Sequence, residues 1–298
     1  MACCLGLAVL TGCGDVAATT GLGGTPFWLD GGASDALQGE IANARAGDSS
    51  PSDGDVHDDG HASDGGPASS ETVFYAVWSR SRRQNKNPSP FGAEWQESRT
   101  TVLGLAQVVW TGSKGQRWLH TCAMHANEVG GAQVTFGSAF LAALPLGPIA
   151  LQREGKLVSQ PEATEWLGMQ PGFLGTMPAT GQGSAASVFD ADSDGHPGVT
   201  VDVAVPFLGQ HRIFVAQRTT SSWQAEFAPD LSLAVQPSVS FEQATLGASL
   251  DLLVTEVVSK PLESGPADEF VWVPVPKDTT CKQLVQQAQG LVGKPWPP

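Results

Sequence analysis

Val199, Val201, Val203 and Val205 alternate with Thr200, Asp202 and Ala204. That is the period of a strand with one face in a core. Less regular runs of the same kind occupy residues 73–79, 101–110, 117–123, 212–218, 231–235, 250–258 and 270–275. Gly112-Ser113, Gly130-Gly131, Gly209-Gln210 and Gly265-Pro266 punctuate them as turns. The pattern predicts an all-β fold, a single antiparallel barrel or sandwich of about 8–10 strands. It does not choose between barrel and sandwich.

One short helix is predicted, at the C-terminus. From Cys281, the residues Leu284, Val285, Ala288, Leu291 and Val292 recur at helical spacing, after Thr279 or Thr280 as a cap. Gly290 weakens it. Residues 143–188 are rich in Gly and Pro without a clear period and read as a long excursion between strands. Within it, 162–169 follows Pro161 and reads as a short helix.

Composition divides the chain. Residues 14–70 hold nine Asp and one Glu against one Arg, and so carry most of the net charge of −14. Their only aromatics are Phe27 and Trp28. Such a segment cannot bury enough apolar surface to offset its ordering entropy, and it reads as a self-repelling tether. His57 and His61 within it could catch a metal weakly, against the plainer reading of solvated low complexity. Residues 71–298 are long enough for one sizeable core, or at most two small ones. No basic stripe with interleaved aromatics occurs, so nucleic acid is not an expected partner.

Ahead of the tether, an apolar run over residues 5–10 is followed by Thr11, Gly12 and Cys13. The stretch resembles the lipobox of bacterial lipoproteins. The resemblance implies cleavage before Cys13, a diacylglyceryl group on its sulfur and an acylated new amino terminus. No Lys or Arg precedes the run, whereas secretory signals start positively charged; the expectation is a start upstream of Met1. Two or more acyl chains anchor stably, and no other segment supplies the about 20 apolar residues of a spanning helix. The expected division is therefore a signal peptide over 1–12, a lipidated Cys13 with an acidic tether over 13–70, and a β-rich domain over 71–298.

That assignment bears on the five cysteines. Cys3 and Cys4 leave with the signal and Cys13 takes the lipid. Cys122 and Cys281 remain as an even pair in an oxidising compartment. A disulfide is the simplest reading, and two separate buried thiols are the alternative.

The strongest local chemistry is Asp190-Ala191-Asp192-Ser193-Asp194-Gly195-His196-Pro197-Gly198. Three carboxylates at alternate positions before a glycine can wrap one hard cation. The run resembles the start of calcium loops in EF-hands and dockerins. In that pattern Asp190, Asp192 and Asp194 are side-chain ligands and His196 offers its backbone carbonyl. The twelfth position is Val201, where an EF-hand has Glu; Asp202, one step on, is the candidate in its place. The expectation is a structural Ca2+ with a Kd of about 10⁻⁴–10⁻³ M. The alternative is a turn whose Asp side chains bind local amides.

Little else suggests chemistry. His120 and His125 flank Cys122 at an offset that places them on opposite faces of a strand, which argues against zinc. No Gly-x-Ser-x-Gly elbow occurs, and Gly181-Gln182-Gly183-Ser184 lacks the lysine of a phosphate loop. Glu162, Glu165, Glu226 and Asp230 read as solvated carboxylates rather than an acid–base pair. No convergent catalytic set is visible, so an enzyme is not expected. Nine Trp stand against one Tyr; core packing is the default for Trp78, Trp110, Trp118 and Trp272, with a Trp-lined sugar or lipid cleft as the alternative. Arg80, Arg82, Arg83 and Lys86 form a basic group expected in a loop, where it is solvated or meets anionic lipid or polysaccharide.

Several parts in order resemble a family of uncharacterised lipoproteins of Gram-negative bacteria. They are the lipobox, the acidic tether, an early Val-Trp strand, Thr121-Cys122, the Phe189–Val201 stretch, Phe214 to Arg218, the late strand from Phe270, and Thr280-Cys281. The resemblance implies a β-rich exported domain with a calcium-type turn and no assigned activity. The expectation is a membrane-anchored envelope lipoprotein, in the outer membrane facing periplasm or cell surface. Its domain would bind or scaffold an envelope protein, polysaccharide or lipid. The alternative is a β-barrel carrier of a lipid-like or other small apolar ligand.

Overall fold

Alternation of apolar and polar residues resolves into one antiparallel sheet. The computed structural model describes residues 70–87, 94–129, 132–144, 147–256, 258–262, 268–294 and 296. The lipobox with Cys13, the acidic tether and His57 and His61 lie outside the described residues. The strands are β1 (Ser70–Asn87), β2 (Glu94–Thr111), β3 (Lys114–Ala126), β4 (Gln133–Thr135), β5 (Ile149–Glu154) and β6 (Leu157–Leu167). They continue with β7 (Val199–Val205), β8 (Gly209–Glu226), β9 (Leu233–Val235), β10 (Ser238–Ala248), β11 (Val258–Pro261) and β12 (Asp268–Pro274). Among the described residues the α-helices are α1 (Ser138–Ala143) and α2 (Cys281–Val292).

The strand order is β4-β7-β8-β6-β5-β3-β2-β1-β12-β9, with β10 added on β8 and β11 on β1. The all-β fold with a short C-terminal helix is as the pattern predicts. Among the described residues the strands number twelve, against the expected 8–10, and the sheet is not closed into a barrel. Residues 162–169 are not a helix: 162–167 belong to β6, where pairing with β8 overrides the start signal of Pro161. Residues 250–258 are not one strand but a 3-10 turn at Asp251–Leu253 followed by β11.

The sheet curls until Trp223 of β8 meets Trp272 of β12, ring centroids 5.7 Å apart. Tyr75, Trp110, Leu151, Val158, Trp223 and Trp272 are buried together inside the curl. Further along, the inward positions are polar. Arg117 donates from Nε and Nη2 to Gln160 Oε1, both at 3.1 Å, and Trp223 Nε1 donates to the same oxygen at 3.0 Å. Arg83 pairs with Asp268 at 2.9 Å, both almost fully buried. The basic group therefore lies in β1, not in a loop: Arg80 pairs with Glu269 and Arg82 with Glu97.

Two further clusters flank the curl. The four valines of β7 pack with Ile213, Val215, Leu253 and Phe140 of α1. Trp166, Met169, Phe214 and Leu246 pack together, with Phe173 and Val188 of the 168–198 excursion set against them. Helix α2 lies across β1, β2, β3 and β12 and buries Leu284, Ala288 and Val292. Thr280 caps it: its hydroxyl accepts from Gln283 N, and Gln283 Oε1 accepts from Thr280 N at 2.8 Å. The Cys122–Cys281 disulfide ties this helix start to β3.

Candidate cation-binding loop

The chain leaves β6 at Gly168 and returns at Val199 through a ring of backbone. Gly198 N donates to Phe189 O at 2.9 Å, and Ala191 N donates to Gly198 O at 2.9 Å, which closes residues 189–198 on themselves. Gly198 must be glycine: its φ is 84°, and a Cβ there would run into the Val215 carbonyl. Ser193 at φ 58° and Gly195 at φ 86° turn the chain inside the ring.

The turn brings Asp190, Asp192 and Asp194 together, with one carboxylate oxygen from each inside a mutual distance of 4.8 Å. Asp190 accepts from Asp194 N at 3.2 Å and from Gly195 N at 2.8 Å. Asp194 accepts from His196 N at 3.0 Å and from the Thr200 hydroxyl at 2.7 Å. Asp192 Oδ2 accepts from Thr200 N at 2.7 Å, while its buried Oδ1 has no hydrogen-bond partner. Arg212 Nη1 stands 3.8 Å from Asp194. Thr200 and Arg212 are the members that sequence reasoning missed. Thr200 was legible as the outward position between Val199 and Val201, and Arg212 only through its register opposite Asp202.

His196 turns its ring onto Phe214, stacked at 4.1 Å, leaving only its backbone for a ligand role. Asp202 does not join the three converging carboxylates. It sits on β7 opposite Thr135 and Arg212, with Oδ2 toward Gly137.

Electrostatics separate the carboxylates. Burial pushes Asp190 up, but hydrogen bonds from the Gly195, Asp194 and Ser193 amides outweigh it and hold the group below its usual value. Burial raises Asp192; the Thr200 amide pulls it back, and the Asp194 charge adds to the rise. An all-oxygen set with one buried, unbonded carboxylate oxygen suits a hard cation.

The other candidates scatter. Cys122 is the extra residue of a β-bulge, because Thr121 faces Gly104 while Ala123 faces Leu103. The bulge puts His120, opposite Leu105, and His125, opposite Thr101, on the same face, contrary to the parity argument. Burial lowers both imidazoles. Glu165 is buried rather than solvated, and its charge supports Arg117 against the burial that lowers the guanidinium. Asp230 is spent on the Ser232 amide and hydroxyl.

Neither protein-family models, nor curated proteins, nor solved structures offer a match to this chain.

Proposed function

We propose that the chain is a membrane-anchored envelope lipoprotein whose β domain scaffolds or binds an envelope component, with a structural calcium in the Asp190–Gly198 loop. The observation that carries the calcium reading is the convergence of Asp190, Asp192 and Asp194 around the unbonded Oδ1 of Asp192. A cation there would offset three neighbouring negative charges and fix the return of the chain into β7. The anchor reading rests on Leu10-Thr11-Gly12-Cys13. Tyr75, Trp110, Trp223 and Trp272 fill the apolar end of the curl with side chains, which favours a scaffold over a carrier of an apolar ligand.

Titration calorimetry with calcium tests the loop. The wild-type chain is expected to bind with a Kd of about 10⁻⁴–10⁻³ M, and Asp192→Asn and Asp190→Ala are expected to lose the heat. No heat in the wild type overturns the calcium reading. Labelled palmitate fed to expressing cells tests the anchor: incorporation that vanishes in Cys13→Ala supports it, and an unlabelled wild type overturns it.

A further inference from the structure

A cleft of about 210 Å³ opens at the end of the sheet where β1 begins, between the β5–β6 turn and the loop from β8 to β9. Its floor is Val73, Tyr75 and Trp110, and Phe227 and Leu231 wall one side. Glu71, Arg153 and Lys156 stand at the rim. It is separate from the cation loop, which packs on the other half of β8.

Two features shape the cleft. The first is a strained turn in its wall. Leu231 N donates to Ala228 O and Ala228 N donates to Ser232 O, both at 2.9 Å, so a tight turn is followed by one left-handed residue. That position normally belongs to glycine. Here it is Leu231, at φ 62° and 49 % exposed. The conformation fixes where the Leu231 side chain stands, beside the cleft and half in solvent.

The second is charge. Glu71 is engaged by Arg153 at 3.2 Å, and the Arg153 guanidinium lies 4.7 Å over the Trp110 ring. Among the described residues no carboxylate pairs with Lys156. The cleft thus combines an apolar floor with one uncompensated cation at its edge. Burial and the nearby Glu71 push the Tyr75 phenol up to about 12. The volume is below the roughly 300–1,000 Å³ of drug-sized sites, which sets the ligand small.

We propose that this cleft binds a short amphipathic carboxylate, its tail between Tyr75, Phe227 and Leu231 and its head group on Lys156. The test is calorimetric titration of the full chain with octanoate, with 1-octanol as the uncharged control. Saturable octanoate binding with a Kd of about 1 mM is expected. Lys156→Ala is expected to weaken it roughly fivefold. Leu231→Gly, which suits the backbone and removes the wall, should weaken it as well, and Asp190→Ala should leave it unchanged. The proposal is overturned by equal affinity for octanol, by equal octanoate affinity in Lys156→Ala, or by no saturation at about ten times the expected Kd.

Discussion

Gly198 and Val215 meet backbone to backbone, so closely that any side chain at 198 would overlap the Val215 carbonyl. This contact seats the Asp190–Gly198 loop against β8. Gly195, at nearly the same φ, faces open space. The two positions separate strain from overlap. Gly195→Ala should cost about 1 kcal/mol, from the left-handed φ alone. Gly198→Ala should cost about 3 kcal/mol or more, because the backbone must also move. Urea unfolding of the two variants measures the difference; equal midpoints would contradict the close approach.

Tyr75 is the one tyrosine of the chain, so its ionisation can be followed alone by near-ultraviolet absorbance. In the folded protein the midpoint should lie at about 12, against 10.0 in the unfolded chain. The folded state holds this proton more tightly. The associated stability is therefore full below pH 10.0 and is lost as the pH rises through about 12. Roughly 1–2 kcal/mol is involved after allowance for solvent at the cleft. Tyr75→Phe should flatten that part of the stability profile.

The disulfide spans 159 residues of sequence. By chain entropy a loop of that length stabilises by about 5 kcal/mol. Reduction, or the Cys122→Ser/Cys281→Ser pair, should lower the melting temperature strongly. Hydrogen exchange should show α2 losing protection before the sheet does.

Arg117 is held by Gln160 and Trp272 and shares the interior with Glu165. Removing the Arg117 charge deprives the buried Glu165 of a favourable electrostatic interaction. Arg117→Met should cost about 3–5 kcal/mol, and adding Glu165→Gln should recover much of the loss. A double variant no better than the single one would dissociate the two charges.

Phe207 is a second bulky residue with positive φ, 64°, and it is wholly exposed. Leu208 N donates to Val205 O at 3.1 Å, a turn with Pro206 first and Phe207 where glycine is favoured. Phe207→Gly should stabilise the chain by about 1 kcal/mol, read as a rise in melting temperature.

The legible part of the fold is the part whose inward positions are apolar. The valines of β7 alternate because their inner face meets Phe140 and Ile213, and Thr280 announces α2 through its cap. β6 was hidden because its inward residues include Gln160 and Glu165, which break the hydrophobic period that marks a strand. β10 was hidden likewise: Gln243 stands opposite Gln217. The parity of His120 and His125 failed on one inserted residue, Cys122, which only pairing with β2 reveals. The three loop aspartates were legible because their geometry is local. The cleft was not, since Tyr75, Trp110, Arg153 and Leu231 come from four separate stretches of chain.

An open sheet leaves two raw margins, and a raw margin invites another strand to add to it. Here the strand path ends at β4 and β9, and one continuous stretch reaches both halves of the sheet: residues 233–235 pair with β12, and residues 238–248 pair with β8, with Pro237 between them. The β9 margin is three residues long, and Gly181 N donates to Thr245 O on the far side of β10. The two end strands, β4 and β9, are three residues each, which keeps the margins short without a closing ladder. Among the described residues, an incoming strand would therefore find only three positions to pair with at each end of the path.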